Sequence, residues 1–176
     1  AEELATGKYI AVGEIGMDVY WDKTLVKEQE SVFRQQIAWA KEYKLPIVIH
    51  VRDAFDEALD IVESENDDAL RGVFHCFTGS AAQAERILGF GDFYIGLGGV
   101  LTFKNSVFVD LIKDVPMQRI VLETDSPYLT PAPHRGKRNE SKYIPLVAQK
   151  LAEVKGITIE EVAAITEENT QKLFGL

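Results

Sequence analysis

The sequence predicts an α/β protein built around a parallel sheet, and three observations support that class. Short apolar runs rich in Val, Ile and Phe alternate with longer segments of helical periodicity. The apolar runs are nearly continuous, as is typical of strands covered on both faces. With 176 residues, 46% of them hydrophobic, the chain can form one sizeable core. We therefore predict a single domain over residues 1–176.

Each predicted strand is an apolar run bounded by Gly, Pro or a charged residue. The predicted strands are Tyr9–Gly13, Ile47–Val51, Gly72–Phe77, Phe93–Gly98 and Ile120–Asp125. The other segments predict helices, because their apolar residues recur at spacings of three and four. The predicted helices are Lys27–Lys44, Asp53–Glu65, Ser80–Leu88, Asn105–Asp114, Tyr143–Lys155, Ile159–Ile165 and Glu168–Phe174.

Local signals support several of these boundaries. Ser80 with Gln83, and Thr158 with Glu161, have the spacing of capping boxes, which satisfy two free N–H groups at a helix start. The segment Ser126–Asn139 holds three prolines and a run of basic side chains, so it predicts a long ordered loop. Loops of that length in compact domains are usually functional.

Composition excludes some classes of function. The net charge is −9, so a broad basic surface for nucleic acid is excluded, and phosphate chemistry would need a local site. No apolar run reaches the roughly 18–20 residues of a membrane span. The single cysteine, Cys76, allows no internal disulfide, and the N-terminus does not resemble a signal peptide. We therefore predict a cytoplasmic protein without membrane association.

Polar side chains stand at the ends of four of the five predicted strands. Glu14 follows the first strand, His50 and His75 end the runs IVI and GVF of the next two, and Glu123 and Asp125 end the last. The carboxyl ends of parallel strands form the ligand-binding edge of barrels and open α/β sheets. The coincidence across strands predicts a shared polar pocket, with Glu123 and Asp125 on one strand face.

Carboxylate oxygens and imidazole nitrogens suit Mg²⁺, Mn²⁺ or Zn²⁺. A pair of such ions lowers the pKa of bound water and stabilises phosphoryl oxygens. Arg52, Arg135, Lys137 and Arg138 are nearby in sequence and would hold phosphates. Taken singly, each residue has a simpler explanation. A histidine can be a hydrogen-bonded core residue, Asp125 can start a turn, and the basic run can be a solvated loop.

Six motifs stand out along the chain: GEIGMD at Gly13–Asp18, IHVR at Ile49–Arg52, HCFTGS at His75–Ser80, ETDSPYL at Glu123–Leu129, RGKRNE at Arg135–Glu140 and the terminal ENTQKLFGL. In their order and spacing they resemble the TatD family of metal-dependent deoxyribonucleases. The resemblance extends from about Tyr9 to Leu176. It implies a TIM-type (β/α)8 barrel that hydrolyses phosphodiester bonds in DNA, with RNA as an alternative substrate, by means of about two divalent ions. Mg²⁺ is the expected ion, and Mn²⁺ and Zn²⁺ are alternatives.

The resemblance also implies residue roles. Glu14 matches a carboxylate that bridges the metals, and His50 and His75 match metal-ligand histidines. Asp125 matches an aspartate that binds metal and takes a proton from the attacking water, and Glu123 matches a second catalytic acid. Substrate or phosphate contacts, or a role in fixing the loop, are implied for Arg52, Arg135 and Asn139.

The sequence departs from the family pattern at its start. The first strand of the family carries a His-x-His pair, and the three histidines here, at 50, 75 and 134, form no such pair. A complete barrel has about 250 residues, so we expect an incomplete one with about five strands and exposed sheet edges. The sequence is then a portion of a longer protein, a true truncation, or a chain completed by another chain.

Three hypotheses about function follow. The first is a metal-dependent phosphodiesterase of the TatD type acting on DNA. The second is an amidohydrolase-type enzyme that cleaves another ester or amide bond, since such barrels use similar ligands. The third is a catalytically inactive fragment. The pattern does not separate exonuclease from endonuclease, and it leaves the oligomeric state open.

Overall fold

A computed structural model describes residues 2–104 and 108–176. Within them, five parallel strands form one sheet in sequential order: β1 (Val12–Asp18), β2 (Ile47–Arg52), β3 (Gly72–Phe74), β4 (Phe93–Leu97) and β5 (Ile120–Leu122). Each strand pairs in parallel with its neighbour in the chain. The predicted α/β class is therefore confirmed. Of the strands in this sheet, β1 and β5 lie at the two edges, as expected for part of a barrel.

Helices follow the strands, as the alternating pattern predicts. The α-helices of the described residues are α1 (Val26–Glu42), α2 (Phe55–Glu65), α3 (Ala81–Gly89), α4 (Phe108–Asp114), α5 (Ile144–Lys155) and α6 (Ile159–Phe174). Both predicted capping boxes are present, at Ser80 with Gln83 and at Thr158 with Glu161. Residues 105–107 of the predicted fourth helix lie outside the described residues. None of the described helices is long and apolar enough to cross a bilayer.

The core lies between the sheet and the helices packed on it. Phe33, Ile37 and Ala40, predicted to share one face of α1, are all fully buried. On the sheet, β4 is buried along its whole length. Phe93, Ile95 and Leu97 of this strand belong to the main core, and Tyr94 belongs to a smaller cluster, so both faces of β4 are covered, as is typical of a parallel sheet.

The predicted bounds of the first strand, Tyr9–Gly13, are wrong, because β1 begins at Val12 and continues to Asp18. Tyr9 and Ile10 are apolar, but their side chains are about half exposed. Strand pairing decides the boundary, since β1 extends alongside β2 as far as the pair Asp18 and Arg52. Glu14 therefore lies inside the strand, not after it.

The C-terminal helix is also longer than predicted, because Ile159–Phe174 is continuous. The predicted break at residues 166–167 is absent, and the buried side chain of Thr166 is satisfied within the helix. The Thr166 hydroxyl donates to the Val162 carbonyl at 2.9 Å. The Asn169 amide donates to the carbonyls of Met117 and Ile120 at 2.8 and 2.7 Å. These bonds connect α6 to the start of β5 and remove the penalty of burying polar groups.

An irregularity in β1 gives Glu14 its position. Val12 is opposite Ile47 and Ile15 is opposite Ile49, so three residue steps of β1 match two of β2. Such a bulge redirects side chains and is common beside active sites. Gly16 follows it with φ +135°, and a Cβ there would lie 2.1 Å from the His50 carbonyl oxygen. Glycine is therefore required for β1 to approach β2 at the site.

Candidate functional site

His75 is the centre of a cluster at the carboxyl ends of the strands. Its Nδ1 lies 2.8 Å from Glu123 Oε2, and its Nε2 lies 3.3 Å from Asp125 Oδ1. Glu14 Oε1 is 3.8 Å from the same Nε2. The His75 side chain is only 8% exposed. One imidazole therefore connects carboxylates from both edges of the sheet.

His50 forms the second half of the cluster. Its Nε2 lies 3.2 Å from Asp18 Oδ2, and its Nδ1 lies 4.0 Å from Glu14 Oε2. The Glu14 carboxylate thus has one oxygen toward each imidazole. This arrangement brings together Glu14, His50, His75, Glu123 and Asp125, all predicted site residues.

The local backbone explains how His75 and Glu123 meet. The ladder continues one residue beyond β3, because the His75 amide donates to the Ile49 carbonyl at 2.9 Å. Cys76 then adopts a positive φ of 45°, and its amide donates to Glu123 Oε1. Strand β5 ends at Leu122, so the prediction that Glu123 and Asp125 share a strand face is wrong. They instead approach the two nitrogens of one imidazole.

The charges of the cluster control the protonation of His75. Burial alone would lower the pKa of His75. The hydrogen bond and charge of Glu123, the charge of Glu14 and the hydrogen bond to Asp125 outweigh burial and raise the pKa from 6.5 to about 9. In the adjacent residue, burial and the same carboxylates raise the pKa of Cys76 to about 12. The thiol is therefore protonated at neutral pH, so Cys76 is a poor nucleophile in this site.

Asp18 belongs to the cluster and is absent from the predicted site. Partial burial would raise the pKa of Asp18, but the Tyr20 amide and His50 bind its carboxylate and lower the pKa below its usual value. Asp18 is the polar residue that ends the observed β1, so it meets the criterion of a polar side chain at a strand end. The sequence predicts that this strand ends five residues earlier, at Gly13, and the criterion therefore selects Glu14 alone.

A cavity of about 400 Å³ opens beside the cluster. The side chains around it combine two histidines, a carboxylate, a guanidinium and an exposed tyrosine. They are His50, Val51, Arg52, His75, Cys76, Thr78, Asp125, Tyr128 and Leu129. The cavity therefore presents imidazole and carboxylate groups to a reacting group, together with the guanidinium of Arg52.

Two other predicted substrate residues face elsewhere. Asn139 is 2% exposed, and its amide donates to the Tyr128 carbonyl at 2.7 Å. Arg135 lies over the Phe103 ring at 3.6 Å and donates to the Thr130 carbonyl at 3.0 Å. Both residues contact the backbone of the loop after β5, and neither lines the cavity. Their role in substrate binding stays a prediction. Arg52 is the predicted phosphate residue that lines the cavity.

The donors of the cluster fit a divalent metal in kind. Glu14, His50, His75 and Asp125 offer carboxylate oxygens and imidazole nitrogens, which Mg²⁺, Mn²⁺ and Zn²⁺ accept to different degrees. Within residues 2–104 and 108–176, however, no group of three or more His, Cys, Asp or Glu side chains has a geometry that could hold a metal ion. The histidines and carboxylates of the cluster instead contact one another in pairs. They would supply part of a metal coordination shell, which normally needs at least four ligands.

Gly96 leaves the space in which Glu123 lies. A Cβ added at Gly96 would lie 2.7–2.8 Å from the Glu123 carboxylate. We expect Gly96→Ala to displace this carboxylate from His75 and to weaken metal affinity by about 10–100-fold, as loss of a ligand's hydrogen-bond partner does. Titration calorimetry with Mn²⁺ would measure the change.

The control for this variant is Gly89→Ala. Gly89 is the last residue of α3, and a Cβ there would meet no atom within 4 Å. Its metal affinity should equal that of the wild type. Equal affinity in Gly96→Ala as well would show that Glu123 has no part in metal binding.

The sheet and its cluster together define an α/β protein with a histidine–carboxylate site at the carboxyl ends of parallel strands. The sequence model of the family described as "TatD related DNase" matches residues 1–175. The chain belongs to this family of metal-dependent hydrolases. The family predicted from the motifs is thereby confirmed.

Individual relatives agree with this assignment. The chain is 48% identical over 174 residues to "Uncharacterized metal-dependent hydrolase YabD" of Bacillus subtilis, covering 98% of this chain and 68% of that protein. It is 33% identical to "3'-5' ssDNA/RNA exonuclease TatD" of Klebsiella pneumoniae, covering 95% and 65%. The crystal structure of YJJV, a TatD homolog from Escherichia coli K12, superposes with a TM-score of 0.93 at 31% identity, covering 99% and 68%. The chain thus spans about two thirds of the length of these relatives.

Proposed function

We propose that the protein hydrolyses phosphodiester bonds in nucleic acid, with DNA as substrate, by using divalent metal ions at the His75 cluster. The observation that supports this most directly is the contact of His75 with Glu123, Asp125 and Glu14, beside a cavity lined by His75, Asp125 and Arg52. The name of the Klebsiella relative, a single-stranded DNA and RNA exonuclease, supports nucleic acid as the substrate class. Mg²⁺ is the metal we propose, and the cytoplasmic location stays a prediction.

In this proposal Glu14, His50, His75 and Asp125 would hold the metal ions. When bound, such ions make water a stronger nucleophile and neutralise charge that develops on phosphate oxygens. Asp125, at 34% exposure, borders the cavity and accepts the proton of the attacking water. Arg52 offers a cation to the phosphate from the cavity wall.

Glu123 acts through His75 in this proposal. Its Oε2 holds Nδ1, and its Oε1 accepts the Cys76 amide, so the carboxylate is fixed at both oxygens. A hydrogen bond at Nδ1 directs Nε2 toward Asp125 and Glu14, where a ligand nitrogen is needed. We therefore assign Glu123 a positioning role, in place of the second catalytic acid implied by the family resemblance.

The proposal is tested with a panel of substrates. The 176-residue chain and a longer form that includes any preceding sequence should each be incubated with 5′-labelled single-stranded and duplex DNA, RNA, and chromogenic ester and amide substrates. We expect DNA cleavage that requires Mg²⁺ and stops with EDTA. Product ladders separate stepwise exonuclease action from internal cleavage.

Each other outcome has a defined meaning. Release from the ester or amide substrates without DNA cleavage would replace the proposal with the amidohydrolase-type alternative. No turnover by the 176-residue chain, with turnover by the longer form, would show that this chain is an inactive portion of a nuclease. No turnover of DNA or RNA by either form would overturn the proposal.

A further inference from the structure

An exposed aromatic pair lies next to the cavity and has no part in the cluster. Trp21 is 83% exposed and Tyr20 is 47% exposed. Their rings meet edge to face, with centroids 4.6 Å apart. Large aromatic side chains are normally well buried, so two exposed rings in contact with each other form a candidate binding surface.

The aromatic pair is connected directly to the site. The Arg52 guanidinium lies over the Tyr20 ring, 3.6 Å from its centroid, and the same Arg52 lines the cavity. Asp18 accepts the Tyr20 amide at 3.0 Å and lies 3.2 Å from His50 Nε2. Asp18, at the end of β1, therefore contacts His50 and also fixes the backbone of Tyr20.

A third exposed ring, that of Tyr128, lines the cavity itself. Tyr128, in the loop after β5, is 70% exposed. The loop is held in place there, because the Tyr128 carbonyl accepts the buried Asn139 amide. Exposed rings on fixed backbones, together with an arginine, are the features that bind unpaired bases by stacking.

We propose that Trp21 and Tyr20 form a stacking site for an unpaired base of single-stranded nucleic acid, beside the scissile phosphate. This inference rests on the proposed function. A chain with net charge −9 gains little from general phosphate attraction, so affinity must come from local contacts such as stacking. Bases of a duplex are already stacked on one another, and the site would therefore favour a single strand.

The experiment measures binding without relying on turnover. A fluorescent oligothymidylate with phosphorothioate linkages, which resist hydrolysis, is titrated with protein in Mg²⁺ and followed by anisotropy. We expect Trp21→Ala to weaken binding by about tenfold, since one stacked base contributes roughly that much, and Trp21→Phe to restore part of it. Leu25→Ala is the matched control, because Leu25 is an exposed apolar residue of the same segment.

A spectroscopic measurement reports stacking directly. The chain has two tryptophans, so in Trp39→Phe the emission comes from Trp21 alone. Titration with the oligothymidylate should quench that emission, and a fully abasic oligonucleotide should not. Unchanged affinity in Trp21→Ala, no binding by the wild type, or quenching by the abasic strand would each overturn the stacking site.

These results are separable from the proposed function. If the wild type cleaves DNA while Trp21→Ala binds normally, the stacking site fails and the nuclease proposal stands. If stacking at Trp21 is observed but no phosphodiester is cleaved, the nuclease proposal fails and a nucleic-acid binding site remains.

Discussion

Asp125→Asn is expected to lower the rate of phosphodiester cleavage by about 10²–10⁴-fold, the usual contribution of a general base. The amide keeps the size of the side chain, and its oxygen can still accept from His75 Nε2, which lies 3.3 Å away. It has no negative charge for a metal and cannot take a proton from water. Single-turnover cleavage of a labelled oligonucleotide, with Mg²⁺ in excess, measures the loss.

Two controls make this result specific. The free energy of unfolding of the variant, measured in urea, should equal that of the wild type within about 1 kcal/mol, since Asp125 lies on the cavity rather than in the core. Asp68→Asn removes one exposed carboxylate from the turn after α2 and should leave the rate unchanged. Wild-type rates in Asp125→Asn would exclude Asp125 as the base.

The metal-free protein is expected to lose stability as the pH rises from about 6.5 to 9. His75 has a folded pKa of about 9 and an ordinary value of 6.5. Its stabilising contribution is therefore complete below pH 6.5 and is lost as pH increases through 9, by about 3 kcal/mol in total. Urea unfolding in EDTA at a series of pH values measures the free energy of unfolding directly.

Glu123→Gln is the matched variant for this effect. It removes the charge that holds the proton on His75 while keeping an acceptor for Nδ1, so the decline with pH should become much smaller. His134→Asn removes an imidazole outside the cluster and should retain the wild-type slope. Added Mn²⁺ should reverse the trend, because a metal at Nε2 competes with the proton and binds better as pH rises. A stability that stays constant between pH 6.5 and 9 in EDTA would contradict the assignment.

Helix positions could be read from the sequence because they depend on local signals. The spacing of Phe33, Ile37 and Ala40 predicts the buried face of α1, and both capping boxes form where Ser80 and Thr158 predict them. These interactions link residues within one or two turns of the chain, so the sequence alone contains them. The alternation of such helices with apolar runs likewise predicts the parallel sheet.

Strand ends and the site geometry could not be read in the same way. The true extent of β1 depends on its pairing with β2, whose residues are more than 30 positions away. The approach of Glu123 to His75 spans 48 residues. Such contacts exist only once the strands are in register, and the sequence prediction therefore missed Asp18 and the orientation of Arg135.

The sequence by itself determined the α/β class, the family and the residue types of the site. Periodicity and motif order express these properties directly, because they depend on neighbouring residues. Only the tertiary structure decided which carboxylate faces which nitrogen, that Asn139 is buried in its loop, and that the exposed Trp21 contacts Tyr20, over whose ring Arg52 lies. These contacts and exposures depend on packing between segments that are far apart in the chain. The order of the residues alone therefore does not specify them.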